Sequence, residues 1–421
     1  MSELVPVATQ LRRVLAEVEV LPQQALPLAQ AGGHRLARDL HAQVAVPPWD
    51  NSAMDGYALR ADDVQGAGED HPVTLQVVGD LPAGSSHDPS IGPGQAVRIM
   101  TGAAMPSQAD AVVQLEHTNR TEPHAPLAQT VTIYRSQEAG GHIRYAGEDL
   151  KVGDRVAGAG RYVRATVAAS LAATGHGTAW VHQRARVAVI ATGAELVPPG
   201  QLLERGTIPD SNSVMVAGLA QEAGAEVVSV MRLDDQPQSL ATHLEQVAEE
   251  ADVIVLTGGV SAGAYDPVTR VFAGSGQVHF SKVAMQPGKP QAFGRYRDSL
   301  LFGLPGNPVS VWVSFQVFVR PALLVMQGAP QQLAVPTPRT GRARVSWSTP
   351  SGRDQYLPAR LTPISGSTEY AVVPAAPRGS KSHLIGSLAA ANGYAIVPAD
   401  YQQVRPGDVL DVVLDTEEND D

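Results

Sequence analysis

The feature that most constrains this chain is a change of rhythm at about residue 184, after which short apolar strands alternate with amphipathic helices as far as residue 328. RVAVIAT (186–192), AEVVSVMRL (225–233) and ADVIVLT (251–257) are the first three strands. A helical pattern over 213–223, with Asp210 or Ser211 as its cap, separates the first two. Another, capped by Asp235, carries Pro237 in its first turn and Leu240, Leu244 and Val247 on one face. Such alternation gives a parallel sheet with right-handed crossovers and helices on both faces. ADVIVLT is almost wholly apolar, as befits a central strand buried on both sides. QVHFSKVAM (277–285) and SLLFGL (299–304) supply further strands, and a helix over 308–326 with Gly328 beyond its end closes the unit.

With 421 residues the chain is too long for one core, and at roughly 150 residues per domain it divides into about three or four. Residues 1–42, with helices at Thr9–Val18 and Ala25–Leu40, form an elongated helical arm together with 140–183, where a helix over 163–173 returns the chain. Residues 43–139 read as a small inserted β domain through TLQVV, QAVRIM, AVVQL and QTVTIY. Residues 184–328 are the three-layer α/β domain, and 334–416 a β-barrel or sandwich ahead of an acidic tail.

A net charge of -11 argues against broad nucleic-acid binding, which needs a concentrated Lys/Arg surface. No cysteine is present, so disulfides, zinc–thiolate sites and cysteine nucleophiles are excluded. No apolar run reaches the roughly 18 residues that span a bilayer, and the N-terminus lacks an export signal, so a cytoplasmic protein without a membrane partner is expected.

Ligands of open α/β sheets bind beyond the carboxyl ends of the strands. Four turns fall there: Thr192-Gly193-Ala194-Glu195, the 257–263 run Thr257-Gly258-Gly259-Val260-Ser261-Ala262-Gly263, Gln286-Pro287-Gly288-Lys289-Pro290 and Leu304-Pro305-Gly306-Asn307-Pro308. Paired glycines turn amide N–H groups outward and helix starts add positive potential, which suits phosphate or another oxyanion. Glu195, Asp235 and Asp266 each follow a strand and together are able to hold Mg²⁺. Lys289, fixed between prolines, is positioned for an anion; Lys282 reads equally as a solvated strand residue, and Ser310 as a cap or an anion donor. PPWDNSAMDGYA (47–58) is a structured loop, and Met100-Thr101-Gly102-Ala103 is a further strand end with a hydroxyl and amides to offer.

Taken in order, PPWDNSAMDGYA, MTGA (100–103), AGEDLKVGD (146–154), ATGAEL (191–196), IPDSNS (208–213), TGGVSAGAYD (257–266), QPGKP (286–290) and LPGNPVS (304–310) closely resemble the molybdopterin molybdenumtransferases, a family that includes the C-terminal domain of gephyrin. The likeness continues more loosely through GRDQY (352–356) and SHLIGSLAAANGYAIVP (382–398).

The resemblance implies that 184–328 is a molybdopterin-binding domain and that the reaction converts adenylylated molybdopterin and molybdate to molybdenum cofactor and AMP with Mg²⁺. It implies a molybdate pocket of Lys289, Pro290, Ser310, Arg353 and Ser382. Molybdopterin-binding turns would comprise Thr192, Gly193, Ser211, Thr257, Gly258, Gly259, Ser261, Gly263, Pro305, Gly306, Asn307 and Pro308. Glu195, Asp235 and Asp266 would face metal and phosphates, and Lys282 is counted with Lys289 among the catalytic candidates. Asp55 and Thr101 match loop residues that in the family complete the partner subunit's site, which implies a homodimer; molybdopterin adenylyltransferase and molybdoenzymes are expected further partners. Gln286 stands where the family is often basic, and Ala262 where bulkier residues are common. Two other readings are a molybdopterin adenylyltransferase, which normally lacks the 47–58 loop and the multidomain frame, and a non-catalytic scaffold.

Overall fold

The computed structural model describes residues 4–122, 125–260, 267–272, 274, 276–350, 352–376 and 381–415. At its centre is a six-stranded sheet in the spatial order Glu226–Leu233, Arg186–Thr192, Val253–Thr257, Ser299–Leu304, Pro290–Tyr296 and Val278–Lys282. The first four strands are parallel. Val253–Thr257 lies between two neighbours and every one of its residues is buried, as its unbroken apolar run requires. The helices Asn212–Glu222 and Pro308–Met326 cover one face. Pro237–Val247 and Pro267–Phe272 cover the other, with Leu240 and Leu244 fully buried; burial of this kind stabilises by roughly 1.5–3 kcal/mol per side chain.

Several expectations are corrected. The sheet is mixed: Pro290–Tyr296 and Val278–Lys282 are antiparallel to their neighbours. Pro290–Tyr296, unforeseen because Gly294 and Arg295 interrupt its pattern, turns back at Arg297 (φ 53°) into Ser299–Leu304, and so short a turn makes only an antiparallel pair. QVHFSKVAM divides, since Met285–Gln286 leaves the central sheet to pair with Asp354–Gln355 of the C-terminal domain. Asp235 does not cap the following helix, whose N-cap is Gln236; Asp235 Oδ2 instead accepts from the Ala194 N–H at 3.2 Å. The helix expected at Ala25–Leu40 is a strand, Gln23–Pro27, paired with Thr178–His182, and a single turn, Leu28–Ala31. Pro27 has no N–H to continue a helix and Gly32-Gly33 ends the turn. The Pro308–Met326 helix does reach the length and composition of a membrane span, with mean hydropathy 1.7, because Ser310, Ser314 and Gln316 scarcely lower it; 89% of it is buried inside the protein, where it is the core helix.

The helix Val7–Ala16 packs through Val7 and Val14 onto the layer formed by the core helix. Ala31, Leu36 and Leu40 share a separate core with Val163 and Leu171 of the returning segment. The inserted domain is a five-stranded sheet ordered Ala111–Gln114, Gly56–Leu59, Gln95–Ile99, Val73–Leu81, Thr130–Ile133. In the C-terminal domain five strands close into a barrel as Gly393–Val397 pairs with Asp354–Pro363.

Candidate functional site

Strand order in the central sheet reverses beside Arg186–Thr192, since the chain moves from it to one neighbour, Glu226–Leu233, and then crosses to the other, Val253–Thr257. A crevice opens at such a point beyond the carboxyl ends. Thr192 and Thr257 are the last residues of those strands, 5% and 1% exposed, and among the described residues neither hydroxyl has a hydrogen-bond partner. A buried hydroxyl without a partner costs stability, so a pair at one sheet edge points to a ligand that supplies the missing bonds. Gly258 (φ 85°) donates its N–H to the Leu304 carbonyl at 3.1 Å. A Cβ there would stand 2.6 Å from the Thr192 carbonyl oxygen, and one on Gly259 would stand 2.9 Å from the Thr192 hydroxyl. Only glycine allows the turn to close onto Thr192.

Two helix starts meet this crevice. Asp210 caps the Asn212–Glu222 helix, accepting from the Ser213 N–H at 3.0 Å, while Ser211 occupies the cap position without bonding through its side chain. The Asn212 amide donates through Nδ2 to the Gly306 carbonyl at 2.8 Å, its Oδ1 buried and without a partner among the described residues. Asn212 escaped sequence reasoning because its neighbours already explained the cap; the one signal was a second amide-bearing residue directly after Asp210-Ser211. Gly306 and Asn307 are exposed, Pro305 is buried and Pro308 opens the core helix. The Asn307 amide donates to the Ser382 hydroxyl at 3.0 Å, and the Val309 N–H to the Ser382 carbonyl at 3.0 Å, so the C-terminal domain delivers Ser382 to the start of the core helix beside buried Ser310.

The Lys289 turn rests on the same helix. A Cβ on Gly288 would lie 2.9 Å from the Ser314 hydroxyl, one turn beyond Ser310, and Gln291 ties the Gly288 carbonyl and that hydroxyl together at 2.7 Å each. Lys289 and Pro290 are half-buried. Pairing of Met285 with Asp354 brings half-buried Arg353 alongside this turn. Lys282 is placed apart: it is exposed on the outermost strand and lines a cavity of about 990 Å³ between that strand and Val7–Ala16, which contains none of the turns above.

Glu195 and Asp235, both exposed, flank the first turn: Glu195 Oε2 lies 2.6 Å from where a Cβ on Gly193 would stand, and Asp235 holds the Ala194 N–H. Asp266, Ser261, Gly263 and Ala262 lie outside the described residues, among which no group of three His, Cys, Asp or Glu side chains is arranged to hold a metal. On the inserted domain Thr101 donates to Asp55 Oδ1 through both its N–H and its hydroxyl, each at 2.7 Å. That double bond fixes the carboxylate at the joined ends of Gly56–Leu59 and Gln95–Ile99, with Asp55 half-buried and Thr101 exposed.

Residues 5–175 match the family described as MoeA N-terminal region (domain I and II), 188–325 that described as probable molybdopterin binding domain, and 340–414 that described as MoeA C-terminal region (domain IV). The chain is 40% identical over 408 residues to molybdopterin molybdenumtransferase 2 of Mycobacterium tuberculosis, covering 95% of this chain and 97% of the relative. It is 33% identical over 411 residues to the molybdopterin molybdenumtransferase of Staphylococcus aureus, covering 97% and 95%. Among solved structures, the molybdopterin biosynthesis MoeA protein of Pyrococcus horikosii superposes with a TM-score of 0.79 at 28% identity, covering 98% of this chain and 99% of that one.

Proposed function

This chain belongs to the molybdopterin molybdenumtransferase family, and from that premise we propose that it inserts molybdenum, converting adenylylated molybdopterin and molybdate to molybdenum cofactor and AMP with Mg²⁺. One observation carries the reading: hydroxyls of Thr192 and Thr257 left without partners among the described residues at the point where strand order reverses, beside the Gly258-Gly259 turn and two helix starts. Hydroxyls, amides and helix dipoles all present positive ends, which stabilise phosphate oxygens.

Next to them, Ser310 and Ser382 stand at the first turn of the core helix, with the Lys289 turn on its second and Arg353 alongside that turn, a set suited to a tetrahedral dianion. Lys289 supplies the charge, and the serines and Pro-framed backbone set its orientation. Glu195 and Asp235 offer hard oxygen donors beside the phosphate turn, a set that fits Mg²⁺ held by one or two carboxylates together with substrate phosphates. When bound, the ion neutralises charge developing at the phosphoanhydride. Thr192, Thr257 and the glycine amides hold the pyrophosphate while a water attacks it, giving AMP and the molybdopterin phosphate, and the pocket keeps molybdate close enough for the dithiolene sulfurs to take molybdenum as their protons leave with molybdate oxygen as water. Asp55, fixed by Thr101, serves the site of the partner in a homodimer.

The test is direct. Purified protein given adenylylated molybdopterin and Mg²⁺ should release AMP when molybdate is added, in step with cofactor formation. AMP that never appears, or that appears at the same rate without molybdate, would defeat the proposal.

A further inference from the structure

Asn212 takes no part in the chemistry above, yet one end of its amide is fixed and the other is unmet. Nδ2 donates to the Gly306 carbonyl at 2.8 Å, which settles how the amide is turned, since the reverse orientation would set two carbonyl oxygens against each other. Oδ1 is then the remaining group, buried and, among the described residues, without a partner. Its place is the crevice wall: Gly306, which it holds, would carry a Cβ 3.6 Å from the Gly258 Cα.

Apart from the carboxylates Glu195 and Asp235 at the first turn, the side chains gathered there are hydroxyls and cations that donate to an oxyanion. Those suit phosphate and molybdate, which at neutral pH mainly present acceptors. Asn212 Oδ1 is itself an acceptor, so an oxyanion against it is repelled, and an organic ligand satisfies it by bringing a hydrogen. We propose that Asn212 is a specificity-determining residue, accepting a hydrogen bond from an N–H or O–H group on the organic part of the substrate. The crevice thereby favours a donor-bearing phosphate ester over a bare oxyanion, because a site built around a hydrogen bond disfavours ligands that leave its polar group unpaired. This rests on the molybdopterin reading, in which two parts of the substrate carry such donors: the ribose and adenine of the nucleotide, and the amino and amide groups of the pterin.

The experiment titrates full-length protein, wild type, Asn212→Ala and Asn212→Ser, with three probes: AMP, neopterin and molybdate. Asn212→Ala should weaken AMP or neopterin about tenfold while leaving molybdate affinity and Tm in place. Asn212→Ser, whose hydroxyl accepts, should recover part of the loss. A loss confined to AMP assigns the donor to the nucleotide, and one confined to neopterin assigns it to the pterin. Equal losses for all three probes would mark Asn212 as a brace for Gly306 and overturn the proposal, as would no loss at all. A loss seen only when Mg²⁺ is present would make Asn212 a metal ligand instead. If wild type binds neither AMP nor neopterin, the molybdopterin reading fails first and takes this assignment with it.

Discussion

At the scale of single residues, the account separates groups kept for the fold from groups kept for a ligand. Thr192 and Thr257 carry buried hydroxyls that bond to nothing among the described residues, so Thr192→Val and Thr257→Val should leave the thermal midpoint unchanged or raise it, while lowering kcat/KM about tenfold each. A fall in stability with activity intact would reverse that assignment, and differential scanning calorimetry beside a turnover assay decides it. Gly258→Ala should behave in the opposite sense. Its Cβ would meet the Thr192 carbonyl oxygen at 2.6 Å from a left-handed backbone, costing at least about 1 kcal/mol in denaturant unfolding. Gln286, half-buried and two residues before Gly288, stands where the family is often basic. Gln286→Lys adds a cation near the proposed oxyanion pocket and should lower the KM for molybdate several-fold at low salt, the gain shrinking as ionic strength rises; a KM that does not move places the pocket elsewhere.

At the scale of elements, the core helix Pro308–Met326 organises the site, because its first turn meets Ser382 and its second supports the Lys289 turn. Asn307→Ala removes the bond to Ser382 and should raise the KM for molybdate more than that for adenylylated molybdopterin, a split that steady-state kinetics measures. Much of this scale was legible in the sequence. ADVIVLT announced a central strand through its unbroken apolar run, and paired glycines at strand ends announced turns needing a left-handed backbone. What stayed hidden depends on contacts between distant segments. Nothing within QVHFSKVAM tells that Met285–Gln286 belongs to a different sheet, since the reason is its pairing with Asp354–Gln355. Asp235 looked like a helix cap because capping is local, whereas its bond to Ala194 is across the crevice mouth from another strand end. Asn212 was missed for a related reason: an unmet acceptor becomes visible only once Gly306 is seen to occupy the other end of its amide.

At the scale of the whole molecule, the Asp55–Thr101 pair lies on the inserted five-stranded domain, while the phosphate turns and the Lys289 pocket belong to the central sheet and its C-terminal neighbour. The proposed homodimer reconciles them, one chain lending Asp55 to the other's crevice. Asp55→Ala should therefore abolish turnover with little change in Tm, as should Lys289→Ala. Mixing the two under conditions of subunit exchange should restore about a quarter of wild-type activity, because half the dimers are hybrids and each hybrid holds one intact site. A mixture as inactive as its parents would confine each site to a single chain. On this reading, turns remote in sequence meet at one edge of the sheet around two anionic substrates held side by side. The most direct measurement is the position of tungstate or molybdate in crystals soaked with the oxyanion and AMP. Expected are oxyanion oxygens accepting hydrogen bonds from Ser310, Ser382 and Lys289, and the AMP phosphate on the Gly258-Gly259 turn. Oxyanion found instead in the cavity lined by Lys282 and Arg13, with the crevice empty, would contradict it.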